Sequence, residues 1–406
     1  MIPRFRPPLK WKQIFRILGS GEPSLQDWEA RLARAAGYTQ AVWFPYGRVA
    51  AQAFFECQKA TPSAVLSAFN CSALLAGLLS ANAKVHFVDT EPEGFNQDPD
   101  LFLSALRVSR KRTGVVVHQW GIDPRLSLDS TPNPLLHDKA LCDFQSPVHN
   151  LKPSDAVLHS FGWGKPLASL HGAALFSNDE ATAAKWRTWR AARLLPPAPS
   201  RELLECFALK VAFQPILFGG VYRLAAWLPL ARQLTGNTTG GGIALPTNWN
   251  RRVSEGVFRM LMDHIEAQEA NRSRRIEMSQ SYTTQLQALA PYVKLPPVHT
   301  ALSHYPIRVR DRDALHAHLL RRGYFTSTRL FANLLCDLVP SNSVKKDFPN
   351  ARRLTAETLH LPLYPSLGRT EQTHIAAAIS GWCHLQRKDE SCYSITTDVN
   401  SSTIPS

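Results

Sequence analysis

A lysine stands in a glycine-rich turn directly after an apolar, strand-like run. The run covers residues 156–161, and Gly162-Trp163-Gly164-Lys165 follows it. Glycines allow a backbone to turn sharply and to approach a bound group closely. A partly enclosed amine loses its proton more readily than a solvated one, and a neutral amine attacks carbonyl groups. Lys165 is therefore a candidate nucleophile, with an ordinary solvated lysine as the alternative.

A second chemical feature lies near the start of the chain. A short predicted strand, 41–45, leads through Gly47 into a helix predicted over 49–57. The free backbone N–H groups and the dipole at a helix N-terminus favour bound anions. Arg48 adds a guanidinium group suited to a phosphate. The segment predicts an anion site, and the alternative is a plain strand-to-helix turn.

Apolar strands and helical stretches alternate between these two features. Predicted strands cover 63–69, 84–89, 115–118, 134–138 and 156–161, and helices are predicted over 71–81 and 100–107. This alternation predicts an α/β fold with a mostly parallel sheet covered on both faces, in which ligands bind at the carboxyl ends of the strands. The residues expected along that rim are Gly47, Asn70, His118, Asp138, Ser160 and Lys165. The first strand has no G-x-G-x-x-G after it, which argues against a dinucleotide fold.

The second half of the chain predicts a smaller α/β lobe. A large domain is expected over 1–245, including an apolar insertion around 201–236, and a long helix over 254–289 begins the second domain, 246–386. Residues 387–406 are polar and are predicted to form a disordered tail. The apolar stretch 211–234 is interrupted by prolines and charges, which argues against a single clean membrane span. A buried or subunit-contacting hairpin is favoured, with peripheral membrane contact through 208–234 as the alternative.

Composition sets limits on compartment and partners. The chain has 406 residues, 44% of them hydrophobic, and a formal net charge of +14, which suits an acidic partner or substrate. No run of basic residues interleaved with aromatic ones appears, so charge alone does not select nucleic acid. The seven cysteines are scattered, with no C-x-x-C. They predict reduced thiols and a cytoplasmic protein, without a disulfide framework or a metal site.

Together these segments resemble the DegT/DnrJ/StrS family, the sugar aminotransferases that use pyridoxal 5'-phosphate in fold type I. The resemblance covers roughly residues 1 to 385, with its motifs in the family's order. The matching segments are 46–50, 67–71, 82–89, 118–121, 137–141, 160–167, 172–179, 250–255 and 361–365. It implies a mixed, mostly parallel seven-stranded sheet in the large domain and a smaller C-terminal α/β domain.

The resemblance also implies roles for single residues. Lys165 would bind the cofactor aldehyde covalently and carry protons, and Asp138 would hold the pyridinium nitrogen protonated. The cofactor phosphate would be held by Gly47, Arg48 and Ser160. In the family, an asparagine at the position of Asn250 reaches the phosphate in the neighbouring subunit, which implies a homodimer with shared active sites.

Some positions depart from the family pattern. Asn70 and Cys71 stand where the family places residues around the cofactor ring, and Cys71 replaces a large aromatic side chain. Leu141 replaces the usual glutamine or histidine after the aspartate. Residues 170–173 also differ from the family's Gly-Glu-Gly-Gly. These departures concern the stacking partner and the handling of the amino donor, because the lysine itself is present.

The implied activity is the transfer of an amino group, from glutamate, to a keto sugar linked to a nucleotide, in polysaccharide, glycan or secondary-metabolite biosynthesis. Two alternatives stay open. One is a sugar dehydratase that uses the same cofactor, although Lys165 argues against that branch because the family's dehydratases carry histidine there. The other is a non-catalytic relative that keeps the fold for regulation or assembly.

Overall fold

The computed structural model of the chain describes residues 1–18, 24–58, 62–128, 131–144, 147–227, 243–246, 248–290, 292–297, 300–328, 330–339 and 347–397. Two sheets organise this part of the chain. Seven strands form the larger sheet and three strands form the smaller one.

The larger sheet is mixed and mostly parallel. Its strands are β1 Gln40–Phe44, β2 Ser63–Ser67, β3 Lys84–Val88, β4 Thr113–Val117, β5 Leu135–Asp138, β6 Ala156–Ser160 and β7 Ala173–Ser177. They lie side by side in the order β1-β7-β6-β5-β4-β2-β3. Only β7 runs antiparallel to its neighbours, β1 and β6. The predicted fold class is confirmed, and the carboxyl ends of β4, β5 and β6 meet at one edge of the sheet.

The strand sequences explain why this sheet is covered on both faces. Every residue of β4, β5 and β7 is buried, as expected for strands that read as continuous apolar runs. The helices of this half are α1 Trp11–Phe15, α2 Leu25–Ala36, α3 Gly47–Glu56, α4 Ser72–Ser80, α5 Pro99–Arg107 and α6 Glu180–Arg193. Short 3-10 turns lie at 16–18 and 119–121.

The apolar segment after α6 forms two helices. They are α7 Pro199–Ala212 and α8 Pro215–Trp227. Among the described residues, no one helix has the length and apolarity to cross a membrane, and α7 with α8 qualifies only as a pair bent by 105°. The part of this segment between 228 and 242 lies outside the described residues.

The smaller sheet consists of β8 Val293–Lys294, β9 Tyr305–Val309 and β10 Thr358–Leu361, all antiparallel in the order β10-β9-β8. Its helices are α9 Glu255–Glu266, α10 Gln268–Leu286, α11 Arg312–Arg321, α12 Pro349–Glu357 and α13 Arg369–Thr397. Short 3-10 turns lie at 287–289 and 335–338. The N-terminal arm joins this lobe, because the Ile2 N–H donates a hydrogen bond of 2.8 Å to the Gly323 carbonyl.

Two boundary predictions in this half are wrong. The single long helix expected over 254–289 is divided at Ala267, whose backbone angles, φ −91° and ψ 3°, are not helical. The tail expected to be disordered from residue 387 is helical as far as Thr397. No glycine or proline interrupts residues 384–397, so nothing in the sequence stops the helix earlier. Residues 398–406 lie outside the described part of the chain.

Candidate active site

A cavity of about 310 Å³ lies at the carboxyl ends of β5 and β6. Residues from the predicted rim and from the predicted anion site line it together: Gly47, Arg48, Cys71, Asp138, Ser160 and Lys165. The lysine turn and the predicted anion site therefore line the same cavity.

Asp138 ends β5 and points its carboxylate into this cavity. The residue is 8% exposed, and its Oδ1 accepts a hydrogen bond of 3.1 Å from the Ala140 N–H. Burial raises the pKa of Asp138, while the Ala140 N–H and the positive charge of Lys165 act in the opposite direction. Burial thus makes the ionised carboxylate less favourable, and a cation or N–H group beside it would favour the ionised form.

Lys165 lies in the loop that joins β6 to the antiparallel β7. The Lys165 N–H donates a hydrogen bond of 2.9 Å to the Gly162 carbonyl, which closes a turn. A Cβ built on Gly162 or Gly164 would meet no atom within 4 Å, so these glycines leave open space. The glycine of this loop with a positive φ is Gly172, at +124°, and a Cβ there would lie 2.2 Å from the Trp43 ring.

The N-terminus of α3 forms the other end of the cavity. Its N-cap residue, Tyr46, makes no side-chain capping hydrogen bond, so the N–H groups of the first turn receive no acceptor from that side chain. Ser160 lies against this turn, since a Cβ built on Gly47 would be 3.8 Å from the Ser160 Oγ. Arg48 uses Nη1 to donate a hydrogen bond of 2.7 Å to the Ala244 carbonyl, and burial lowers its pKa.

Asn70 lies next to the cavity without lining it, and its chain neighbour Cys71 lines it. The Asn70 Oδ1 accepts a hydrogen bond of 2.6 Å from the Cys71 N–H, and the Asn70 amide helps to lower the pKa of Asp138 against burial. The Asn70 Nδ2 is buried and makes no well-formed hydrogen bond to the described residues. Cys71 lines the cavity directly.

Three residues are not brought to this cavity. His118 follows β4 at the predicted edge, but its side chain lines a separate cavity and pairs with Asp123 at 2.9 Å and with His137 at 3.4 Å. Leu141 is packed in the hydrophobic core. Asn250 does not line the cavity, and its carbonyl accepts a hydrogen bond of 2.7 Å from the Leu195 N–H.

The cavity also contains residues that the sequence did not indicate. Glu205 of α7 lines it and pairs with His171, Nε2 to Oε2 at 3.0 Å. Burial acts to raise the pKa of Glu205, but the hydrogen bond and charge of His171 outweigh it and the pKa is lowered. Arg4 and His304 also line the cavity, from the N-terminal arm and the smaller lobe. No sequence pattern distinguishes Arg4 and Glu205 from the charged residues near them, Arg6 and Glu202.

The residues present fit pyridoxal phosphate. An amine, a buried carboxylate and a helix N-terminus with a neighbouring serine hydroxyl face one cavity. These are the groups needed to bind an aldehyde, a pyridinium nitrogen and a phosphate. Ala140 and Leu158 add apolar surface to the same cavity.

Comparison with known proteins gives the same class of fold. The putative sugar aminotransferase Spr1654 from Streptococcus pneumoniae, solved in its PMP form, superposes with a TM-score of 0.71 at 14% identity, covering 95% of this chain and 99% of that one. DesI, solved in the presence of its TDP-sugar product, superposes with a TM-score of 0.71 at 18% identity, covering 97% of this chain and 95% of that one. The fold is therefore that of the sugar aminotransferases.

Sequence comparison finds a family match in the second half of the chain. Residues 236–380 match the DegT/DnrJ/EryC1/StrS aminotransferase family. The erythromycin biosynthesis sensory transduction protein EryC1 of Saccharopolyspora erythraea is 31% identical over 144 residues, which are 32% of this chain and 37% of EryC1. The matched segment thus spans little more than a third of that relative. The second half of the chain is therefore similar in sequence to the family that the motifs indicated, and the whole chain shares the fold of the solved sugar aminotransferases.

Proposed function

We propose that this protein is a pyridoxal-phosphate-dependent aminotransferase that moves an amino group from glutamate to a keto sugar linked to a nucleoside diphosphate. The observation that carries the proposal is the presence of Lys165 and Asp138 in one cavity, opposite the N-terminus of α3. The TDP-sugar product with which DesI was solved supports this substrate class. The net charge of +14 suits such an acidic substrate.

When bound, pyridoxal phosphate supplies an aldehyde for covalent attachment and a ring that withdraws electrons from a substrate carbon. Lys165 would provide the attached amine, and its Nζ would then move a proton to and from that carbon. The Asp138 carboxylate would accept a hydrogen bond from the ring nitrogen and keep that nitrogen protonated. The N-terminus of α3 with Arg48 and Ser160 would bind the phosphate, and Asn70 and Cys71 would lie beside the ring.

Incubation of the loaded enzyme with glutamate alone tests the reaction class. An aminotransferase converts its cofactor to the pyridoxamine form and releases one equivalent of 2-oxoglutarate. A sugar dehydratase of the same fold or a non-catalytic relative gives neither product. Mass spectrometry of products from a panel of nucleotide-linked keto sugars then identifies the acceptor.

A regulatory role is the second candidate, because EryC1 is described as a sensory transduction protein. A chain that used this fold only for assembly would have no chemical need for an amine and a carboxylate in one enclosed space. Both are present here. The glutamate experiment separates the two functions directly.

We further propose that the protein acts as a homodimer, with the exposed apolar side chains of α7 and α8 against its partner. Leu204 is 69% exposed and Ile216 is 94% exposed, and Phe207 and Leu217 are also exposed. Apolar surface of this kind marks interaction sites on globular proteins. Peripheral membrane contact through the same region is the alternative.

A further inference from the structure

Arg4 is a buried cation to which the described residues offer no counter-ion. It is 7% exposed, and its Nε and Nη1 are buried without a hydrogen-bond partner in the part of the chain that the structure describes. Burial lowers the pKa of Arg4 to about 10, and no carboxylate opposes that effect. Burying an unpaired charge is costly unless another group compensates it. An anionic ligand would compensate it here.

Contacts of the N-terminal arm place Arg4 beside the catalytic turn. The Ile2 N–H bonds to Gly323, and the Ile2 carbonyl accepts a hydrogen bond of 2.9 Å from the Phe325 N–H. The Phe5 ring lies 4.9 Å from the ring of Trp163, two residues before Lys165. Arg4 lies between these attachments and lines the same cavity as Lys165.

The groups nearest to Arg4 do not neutralise it. The pKa of His304 is lowered by burial and then by Arg4, and Lys165 acts on the same imidazole. The pKa of His360 is lowered to about 3 by the same two causes, burial first. Both histidines are therefore neutral near pH 7. His304 is within electrostatic reach of both Arg4 and Lys165, so the unpaired charge lies on the lysine side of the cavity.

This position differs from that of the predicted phosphate site. Arg48 lies at the N-terminus of α3, bonded to the Ala244 carbonyl and in electrostatic contact with Cys71 and Tyr46. The arm that carries Arg4 is instead attached to the smaller lobe through Ile2, and its Phe5 ring packs on Trp163 of the lysine turn. The cavity therefore has two separate guanidinium groups available for anions.

We propose that Arg4 binds the α-carboxylate of the amino donor. The assignment rests on the proposed aminotransferase function. A planar guanidinium group can bind a carboxylate through two parallel hydrogen bonds. The α-carboxylate is one bond away from the carbon that gives up the amino group, so it must bind close to Lys165.

The test compares Arg4→Gln and Arg4→Lys with Arg6→Gln in the loaded enzyme. Arg6 is in the same arm but does not line the cavity. Arg6→Gln therefore removes the same charge as Arg4→Gln without changing the cavity lining. Conversion of the cofactor is followed by absorbance after mixing with glutamate or with glutamine. Glutamine has the α-carboxylate but lacks the side-chain carboxylate of glutamate. We expect Arg4→Gln to raise the half-saturating concentration of both donors on the order of 10- to 100-fold, Arg4→Lys to raise it less, and Arg6→Gln to leave it unchanged.

Three results for Arg4→Gln would overturn the assignment. The first is an unchanged half-saturating concentration for both donors, and the second is weaker binding of glutamate but not of glutamine. The third is weaker binding of the nucleotide sugar with no change for either donor. Calorimetric titration of the wild type and Arg4→Gln with 2-oxoglutarate gives a readout without turnover, and the variant should bind it more weakly. Thermal unfolding of the cofactor-free proteins controls for folding. A wild type whose cofactor does not respond to glutamate would contradict the proposed function, whereas a responsive wild type with an equally responsive Arg4→Gln contradicts only the role of Arg4.

Discussion

Asp138 links the electrostatics of the fold to the chemistry proposed for it. Its carboxylate is buried, and burial raises its pKa above the ordinary value of 3.8. The ionised form is therefore less favourable in the folded chain than in the unfolded chain. A protonated nitrogen placed next to it would relieve that cost, which is why a buried acid and a pyridinium ring suit each other.

Substitution of Asp138 by Asn separates activity from stability. We expect the rate of cofactor conversion by glutamate to fall on the order of 100- to 1,000-fold, because the carboxylate no longer stabilises charge on the ring nitrogen. Stopped-flow absorbance measures this rate. A variant that keeps the wild-type rate would contradict the role of Asp138.

The direction of the stability change in Asp138→Asn follows from the same pKa shift. Ionisation of Asp138 in the folded chain reduces the free energy of unfolding. This loss is absent below pH 3.8, grows as the pH rises from 3.8 to the raised pKa, and is complete above that pKa. Asn carries no charge and can still accept the hydrogen bond from the Ala140 N–H. The cofactor-free Asp138→Asn protein should therefore unfold at the same temperature as the wild type or at a higher one near pH 7. A lower melting temperature there would contradict this interpretation.

Single residues show where prediction from sequence succeeds. Lys165 and Asp138 follow apolar strands, and the rule that parallel strands present their carboxyl ends at one edge was enough to bring them together. His118 obeys the same rule by position, but its side chain turns to Asp123 and His137 in another cavity. Arg4 could not be predicted, because its place depends on pairing between the arm and residues more than 300 positions later.

At the scale of elements, the loop from β6 to β7 determines how Lys165 is presented. The Phe161 N–H donates a hydrogen bond of 2.8 Å to the Gly172 carbonyl, and the Ser169 N–H returns one of 2.6 Å to the Phe161 carbonyl. These bonds close the loop around the lysine turn. Gly172 is required there, since its φ of +124° and the adjacent Trp43 ring both exclude a side chain.

Alanine substitutions in three glycines test this argument. Gly172→Ala combines an unfavourable φ with overlap on Trp43, so we expect a loss of about 2 kcal/mol or more in the free energy of unfolding. Gly323→Ala has φ +84° but open space, and should cost about 1 kcal/mol. Gly162→Ala has neither problem and should change stability by less than about 0.5 kcal/mol. Urea unfolding measures all three, and equal losses for Gly172→Ala and Gly323→Ala would contradict the overlap with Trp43.

Element boundaries illustrate the limits of sequence patterns. The helix predicted over 100–107 is observed as α5, at Pro99–Arg107. The long helix expected over 254–289 has a continuous helical pattern, yet Ala267 divides it. Alanine is a strong helix former, so no local propensity signals that break. It depends on how α9 packs on the large domain and α10 on the smaller lobe.

At the scale of the whole molecule, the position of Asn250 is informative. It lies outside the cavity of its own chain, as expected if it serves the phosphate site of a second subunit. Isologous dimers place the same residue at both shared sites. The single-chain geometry is thus compatible with a dimer whose active sites each combine two subunits.

Mixing two inactive variants tests this arrangement. Lys165→Ala and Asn250→Ala each damage both sites of their own homodimers, but a mixed dimer carries one site with Lys165 and Asn250 intact. After random subunit exchange, we expect about one quarter of wild-type activity, since half the dimers are mixed and each has one intact site. Glutamate-dependent release of 2-oxoglutarate measures the recovery. No recovery beyond the sum of the two separate variants would show that Asn250 acts within its own chain.

The exposed apolar side chains of α7 and α8 allow a test of the membrane alternative. If they pack against the partner subunit, Ile216→Gln with Leu217→Gln should shift the protein toward monomers in sedimentation, because both side chains are exposed in the single chain. The wild type should then not float with anionic liposomes. Flotation of the wild type, abolished in the double variant without any change in oligomeric state, would instead favour membrane contact.

The central claim is that the amine of Lys165 carries the cofactor. Borohydride reduction of the loaded enzyme, followed by proteolysis and mass spectrometry of the labelled peptide, tests it most directly. Lys139 provides an internal comparison, because it is a buried lysine that lines the other cavity. We expect a yellow protein with the label on Lys165 and no label in a Lys165→Ala variant. A protein that stays colourless with added pyridoxal phosphate, or a label on Lys139 or another lysine, would contradict it.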